Sequence, residues 1–377
     1  MGTIRRKKDK DKDKEKRKSL TDRLYDKEYN EVEMRLKELY SEAVVDMRNK
    51  TAQFLADYEV KNKQKLELLE QGKISAYDYQ RWKQGQAYSY EIMQKQVDQL
   101  TQDLVNTDVL AAQIINGELP QIYVTAFNST VFQTELTAYA SGLSMQANFT
   151  VYSGDALAFL AKSPVLLPEN VNLNVAKDYV WSKKHIATAI AQGILQGESI
   201  EKIAERLRRV TDMNYHSSIR NARTATGAAK NQGVYDSTER INEQGKEFGI
   251  EMVKTWDCVH DAKTRDSHLW LNGQHPDENG YFGTGYLSTP LRFPKDPFGA
   301  PEEVYNCRCT LLSQIKGIDH SKDRINYEKW LQENYYEDWY KWKTSDRGKA
   351  QEAERSEAEG REQFVNSMWA HMHVKKG

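Results

Sequence analysis

The sequence predicts an α+β fold that is predominantly α-helical: long helices on the N-terminal side, then a small mixed α/β unit, then a helical C-terminal tail. Three observations carry this expectation. From Leu20 to Gln71 there is neither Gly nor Pro, and Leu36, Tyr40, Ala43, Met47, Thr51, Phe54 and Tyr58 recur at spacings of three and four, the period of one helical face. After Gly249 the pattern changes to the alternation of a strand through Ile250 and Trp256, and four of the eight prolines crowd between Pro276 and Pro297. With 39% hydrophobic and 29% charged residues, the chain can build cores but keeps a large solvated surface, which suits long exposed helices around smaller globular units.

The same arithmetic excludes several classes. The 377 residues carry 54 Lys plus Arg against 55 Asp plus Glu, with a mean hydropathy of -0.80. No window approaches the roughly 18 consecutive apolar residues of a membrane span, and the basic start is not followed by an apolar signal segment. The expectation is a protein neither membrane-embedded nor exported by the usual route. Cys258, Cys307 and Cys309 are too few for a disulfide framework and fit a reducing compartment or a metal site.

In chain order, Arg5 to Lys18 has ten basic and four acidic residues and nothing apolar, so residues 1–19 should form a disordered basic arm. It reads equally as a solubilising tail or as a contact for a polyanion, and its composition also fits a nuclear-import signal. Residues 20–168 read as an elongated helical region. Gly72 stops the first helix, and a second run from Ser75 through Trp82, Tyr90, Met93, Val97 and Leu100 should pair antiparallel with it. Gly117 and Pro120 predict a break, followed by a helix over Ile122–Gly142 interrupted at Asn128-Ser129.

Residues 169–315 read as the next domain, its boundary near Pro168. Val175, Tyr179, Ile186, Ile190 and Ile194 make one helical face ended by Gly197. Ser199 then caps a helix carrying Ile200, Ile203, Leu207 and Val210. A third helix, Tyr215 to Gln244, contains RNARTATGAAKNQG (Arg220 to Gly233), whose small residues admit a close neighbour. Residues 316–377 read as a Trp-rich helical tail whose aromatic part should dock on another surface.

The densest chemistry lies from Trp256 to His268, then Asn272-Gly273, then Asn306-Cys307-Arg308-Cys309. His268, Cys307 and Cys309, joined by Cys258 or His260, have the donor types of a zinc site. Zinc ribbons favour two or more residues between cysteines, so the C-x-C spacing favours a metal-free structural motif, and both readings stay open. Asp261, Arg265 and His268 read as a buried ion-pair and hydrogen-bond set fixing the loop against Trp256. A metal-dependent nuclease centred on Asp261, His268 and the Cys307/Cys309 pair is the rival reading, but no paired-His or Asp-His run completes a site with a general base beside a held cation.

Arg223-Thr224 on a small-residue helix, the strand ending in Trp256, the spacing of Asp261, Arg265, Ser267, His268, Asn272 and Gly273, then Phe293-Pro294 and Asn306-Cys307-Arg308-Cys309 together resemble the phage head morphogenesis (Mu protein F-like) domain. The resemblance spans roughly 174–312. Ala225 stands where the family commonly has an acidic residue, and Pro301-Glu302-Glu303 where Pro-Gly-Glu usually precedes the Asn-Cys pair. The resemblance implies a minor head protein of a tailed bacteriophage, with Arg223, Thr224, Trp256, Asp261, Arg265, Ser267, His268, Gly273, Asn306, Cys307 and Cys309 as motif residues and no catalytic group. It also implies a virion location inside the head near the portal vertex, reached from the host cytoplasm during assembly. The expected partners are the portal protein, a major capsid or scaffolding protein, and double-stranded DNA bound without sequence preference.

The charge pattern is compatible with that role. Lys202, Arg206, Arg208, Arg209, Arg220, Arg223 and Lys230 oppose only Glu201, Glu205 and Asp212 between residues 201 and 230. Arg206, Arg208, Arg209, Arg220, Arg223 and Lys230 are therefore the expected phosphate contacts, against the plainer reading of a solvated helical face.

Overall fold

The computed structural model describes residues 19–87, 90–141, 143, 175–245, 249–318, 336, 337, 340 and 341. The expected arm, the loop segment 144–174 and most of the expected tail lie outside the described residues. Among the described residues, five long or medium helices come first: α1 (Leu20–Glu70), α2 (Ala76–Ala87), α3 (Tyr90–Ala140), α4 (Val175–Gln196) and α5 (Ile200–Gly245). They are followed by β1 (Met252–Asp257), the short helices α6 (Asp266–Leu271) and α7 (Pro301–Val304), and β2 (Thr310–Ile315). No described helix is long and apolar enough to cross a membrane.

Three expected breaks are absent. Helix α3 runs unbroken through Gly117, Pro120 and Asn128-Ser129. An interior proline costs roughly 3 kcal/mol through its missing hydrogen bond and ring clash. Around it Leu119, Ile122, Tyr123, Val124 and Phe127 are all buried, and at about 1.5–3 kcal/mol for each large apolar side chain their packing outweighs that cost. Ser129 stays helical by bonding Ala126 O at 3.3 Å and the Thr21 hydroxyl at 2.7 Å. Helix α5 likewise continues through 211–214, where separate helices were expected. Thr211 Oγ1 donates to Leu207 O at 3.3 Å and Asn214 Nδ2 to Asp108 Oδ2 at 2.7 Å, so these polar side chains find partners without leaving the helix.

The chain divides into two compact units, each assembled from separated stretches of sequence. One comprises residues 31–117 and 167–222. Within it α1 and α3 run antiparallel, as the pairs Tyr40–Asp108 and Lys50–Asp103 show. The buried stripe of α1 is Val32, Leu36, Tyr40, Met47, Thr51, Leu55 and Tyr58. Tyr40 Oη donates to Asp108 and also lies 2.7 Å from the Ser218 hydroxyl on α5. Gly197 ends α4 at φ +68°, and a β-carbon there would come 2.9 Å from Tyr79 Oη of α2.

The other unit comprises residues 1–30, 118–166 and 223–377. Its sheet pairs β1 with β2 antiparallel, Met252 opposite Ile315 and Asp257 opposite Thr310. β1 follows the sequence alternation, burying Met252, Lys254 and Trp256. β2 was not anticipated. One core gathers Leu20, Tyr123, Phe127, Val131, Phe132, Ile241, Ile250, Met252 and Ile315, and Tyr336 and Tyr340 pack against it. Phe132 and Tyr336 meet edge to face with ring centroids 5.5 Å apart, so the described aromatic residues of the tail do dock on a core. The second core gathers Trp256, Leu271, Phe282, Leu291, Phe293, Val304 and Leu311 with all three cysteines.

Candidate functional site

The site grows from α5, where Asn231 is fully buried and serves two passing segments. Its Nδ2 donates to Pro294 O at 2.7 Å, and its Oδ1 accepts the Leu311 N–H at 3.1 Å. One helical amide thereby supports both the proline-rich loop and β2, whose backbone groups would be costly to bury unpaired. Eight residues earlier on α5, Arg223 Nη1 donates to Asn306 Oδ1 at 2.9 Å, and Thr224 Oγ1 accepts the Asn306 N–H, also at 2.9 Å. Asn306 has φ +55°, the left-handed conformation that Asn tolerates better than most residues with a side chain. Gly227 leaves room for the buried Lys295 side chain, whose Nζ would collide with a β-carbon there.

On the other side of this corner, the Trp256 N–H donates to Gln274 O at 3.0 Å and the Gly273 N–H to Trp256 O at 2.8 Å, with Gly273 at φ +77°. Trp256 is fully buried and meets the His268 ring edge to face at 5.2 Å and Phe282 at 5.4 Å. His268, on α6, is 1% exposed. Its Nδ1 lies 3.5 Å from Cys307 Sγ and 3.3 Å from Cys309 Sγ. Its Nε2 lies 2.9 Å from Glu303 Oε2, the oxygen that also accepts the Ser267 hydroxyl at 2.8 Å.

Burial alone would raise both thiols. For Cys307 that effect is outweighed by hydrogen bonds from Cys309 and His268 and by the Lys295 charge, and the net direction is down. Cys309 is driven up, first by its bond to Cys307 and then by burial. Burial pulls the Lys295 ammonium down to about 8, with the Cys307 charge opposing it.

The expected motif residues Arg223, Thr224, Trp256, Ser267, His268, Gly273, Asn306, Cys307 and Cys309 are thus brought together. Asp261, Arg265 and His268 do not form one buried set, which corrects the expectation. Asp261 lies at the surface in a bidentate pair with Arg308, and Arg265 Nη2 donates to Tyr305 O at 2.6 Å. Both brace the loop from outside, because the alternation of the extended segment puts Arg308 on the opposite side from Cys307 and Cys309. Asp261 is also absent from the close group of His268, Cys307 and Cys309, so the centre of the rival nuclease reading is not assembled.

The expected phosphate contacts are also revised. Lys230 is 3% exposed and bonds Asp22 and Thr310, so it is withdrawn from any external polyanion. Arg206 makes a bidentate pair with Glu198, Arg208 pairs with Glu205 and Asp212, and Arg223 holds Asn306. Arg209 and Arg220 remain exposed. Sequence reasoning did not single out Asn231, Lys295 or Glu303 as site residues. Glu303 had a signal, since it ends the Pro301-Glu302-Glu303 stretch just before the Asn-Cys pair, whereas nothing distinguishes Asn231 from any other polar helical residue.

Residues 184–312, which contain this corner of loop and strand locked to a small-residue helix, match the family described as Phage Mu protein F like protein. The chain is 24% identical over 233 residues to Minor head protein GP7 of Bacillus phage SPP1, covering 60% of this chain and 70% of that protein. It is 31% identical over 159 residues to NAD(+)--arginine ADP-ribosyltransferase EFV of Enterococcus faecalis (strain ATCC 700802 / V583), covering 42% of this chain. The match spans only 31% of the length of that Enterococcus protein. No solved structure matches the chain.

Proposed function

We propose that this chain is a minor head protein of a tailed bacteriophage that binds the portal vertex during procapsid assembly and influences DNA packaging or ejection through non-specific DNA contacts. The observation that carries the reading is that the family motif is spent on internal support: Arg223 and Thr224 hold Asn306, Glu303 receives Ser267 and faces His268, and Asp261 holds Arg308. Such a module presents a rigid surface rather than a reacting group. The helical stretches outside it supply the docking faces for portal, capsid or scaffolding protein, and exposed Arg209 and Arg220 join the basic arm in contacting phosphates.

The test is co-sedimentation of the full chain with its cognate portal, with DNA retention followed against salt. The reading expects portal binding together with DNA binding that weakens steeply as salt rises. Failure to bind the portal in both low and physiological salt overturns it. A second reading, transfer of ADP-ribose from NAD+, is favoured only by the printed name of the Enterococcus relative. Incubation with labelled NAD+ and an arginine-bearing acceptor distinguishes it, and no transfer of label is expected.

A further inference from the structure

Three donor atoms of a soft-metal site already converge in the second core. The ligand atoms of His268, Cys307 and Cys309 all lie within 4.8 Å of one another, and the three residues are 1%, 1% and 3% exposed. Tetrahedral zinc, with bonds of about 2.3 Å to sulfur and 2.0–2.1 Å to nitrogen, would separate an imidazole nitrogen from each sulfur by roughly 3.6 Å. The observed Nδ1 to Sγ distances are 3.5 and 3.3 Å. We propose that His268, Cys307 and Cys309 bind one Zn2+ ion, through His268 Nδ1 and the two cysteine sulfurs.

The local fold explains why a C-x-C pair serves here. Burial alternates from Cys307 through Arg308, Cys309 and Thr310 to Leu311, the signature of an extended segment leading into β2. Residues i and i+2 of an extended chain project to one side, so both sulfurs reach the same point while Arg308 turns outward. Two intervening residues are needed where cysteines sit on a tight knuckle. An extended pair facing a helix needs one.

The surrounding groups are those that orient a zinc histidine. Glu303 Oε2 lies 2.9 Å from Nε2 while Nδ1 is the ring nitrogen near the sulfurs, and Ser267 anchors the same carboxylate oxygen, the arrangement in which a carboxylate orients a metal-binding histidine. Trp256 packs on the ring edge and fixes its plane. The Cys309 N–H lies 3.3 Å from Cys307 Sγ, a bond that favours a sulfur carrying negative charge. Two thiols and an imidazole select a soft or borderline cation over Mg2+ or Ca2+. Cys258 belongs to the same apolar core but stands outside the close group.

The experiment is elemental analysis of the full chain purified from zinc-supplemented culture without chelator. The expected result is about one zinc per chain, falling to less than roughly a tenth in Cys307→Ser and His268→Asn. Glu303→Gln should keep the ion but weaken its affinity about 10- to 100-fold in competition with a chromogenic chelator. If the ligand variants do not fold, wild-type protein exchanged with Co2+ decides, since a thiolate-bound tetrahedral site gives a sulfur-to-cobalt charge-transfer band and intense visible absorption. Wild-type protein with neither bound zinc nor that spectrum overturns the proposal. So does a Cys307→Ser variant that folds and retains its zinc, or a Cys307–Cys309 disulfide in protein handled anaerobically.

Discussion

Thr224 Oγ1 accepts the backbone N–H of Asn306 at 2.9 Å, joining a helix to a loop 82 residues further along the chain. The bond holds Asn306 in the left-handed conformation, at φ +55°, from which the chain turns into Cys307. Arg223, the preceding residue on the helix, donates to the Asn306 side chain. The Arg-Thr pair is therefore a clamp on one backbone conformation.

Substitutions at Asn306 should separate these contributions. Ala loses the Arg223 bond and meets the left-handed penalty, for a combined loss of about 1–2 kcal/mol in a urea titration. Gly loses only the bond and should fall between Ala and wild type. An Ala variant as stable as wild type would show that neither the clamp nor the conformation matters.

The Asp22–Lys230 pair should give stability an acid limb. Burial pushes the Asp22 carboxyl up, but the Lys230 charge and hydrogen bonds from Lys230, Ser19 and Thr310 outweigh it, and the net direction is down. A carboxyl lowered by folding stabilises the native state fully above its unfolded pKa, about 4, and that contribution disappears as pH falls through the lower native value. Asp22→Asn should flatten the stability curve below about pH 4 relative to wild type. Lys230→Met, which leaves the largely buried carboxylate unpaired, should cost about 3–5 kcal/mol at neutral pH. Identical acid limbs in wild type and Asp22→Asn would rule out the linkage.

Two helical glycines should respond with opposite signs. A β-carbon at Gly233 of α5 would stand 2.6 Å from Tyr123 O and 3.1 Å from Phe127 N, and helical backbone cannot move aside cheaply. Gly233→Ala should therefore destabilise by about 1–3 kcal/mol despite Ala's higher helix propensity. A β-carbon at Gly85 of α2 meets nothing within 4 Å. Gly85→Ala should gain up to about 1 kcal/mol. Thermal melts of the two variants check the pair, and a stabilising Gly233→Ala would contradict the close packing of α5 on α3.

Much of this molecule was legible in the sequence because helical periodicity and strand alternation are local properties. The stripe from Leu36 to Tyr58 marked α1, and the alternation at Ile250, Met252, Lys254 and Trp256 marked β1, since each element must hide one face whatever covers it. The order of Arg223-Thr224, Trp256, His268 and Asn306-Cys307-Arg308-Cys309 was enough to reveal the resemblance to the Mu protein F-like domain, whose family model matches residues 184–312.

Tertiary structure alone decided which elements stay whole and which side chains meet. Pro120 reads as a break in isolation, and becomes helix interior because its neighbours lose water against other segments. Lys230 reads as a free cation, and becomes a buried one because Asp22, 208 residues earlier in the chain, faces it. Glu303 and His268 acquire their relationship only when two short helices pack at one corner. Period and spacing are written along the chain, whereas desolvation and pairing depend on partners that only folding brings within reach.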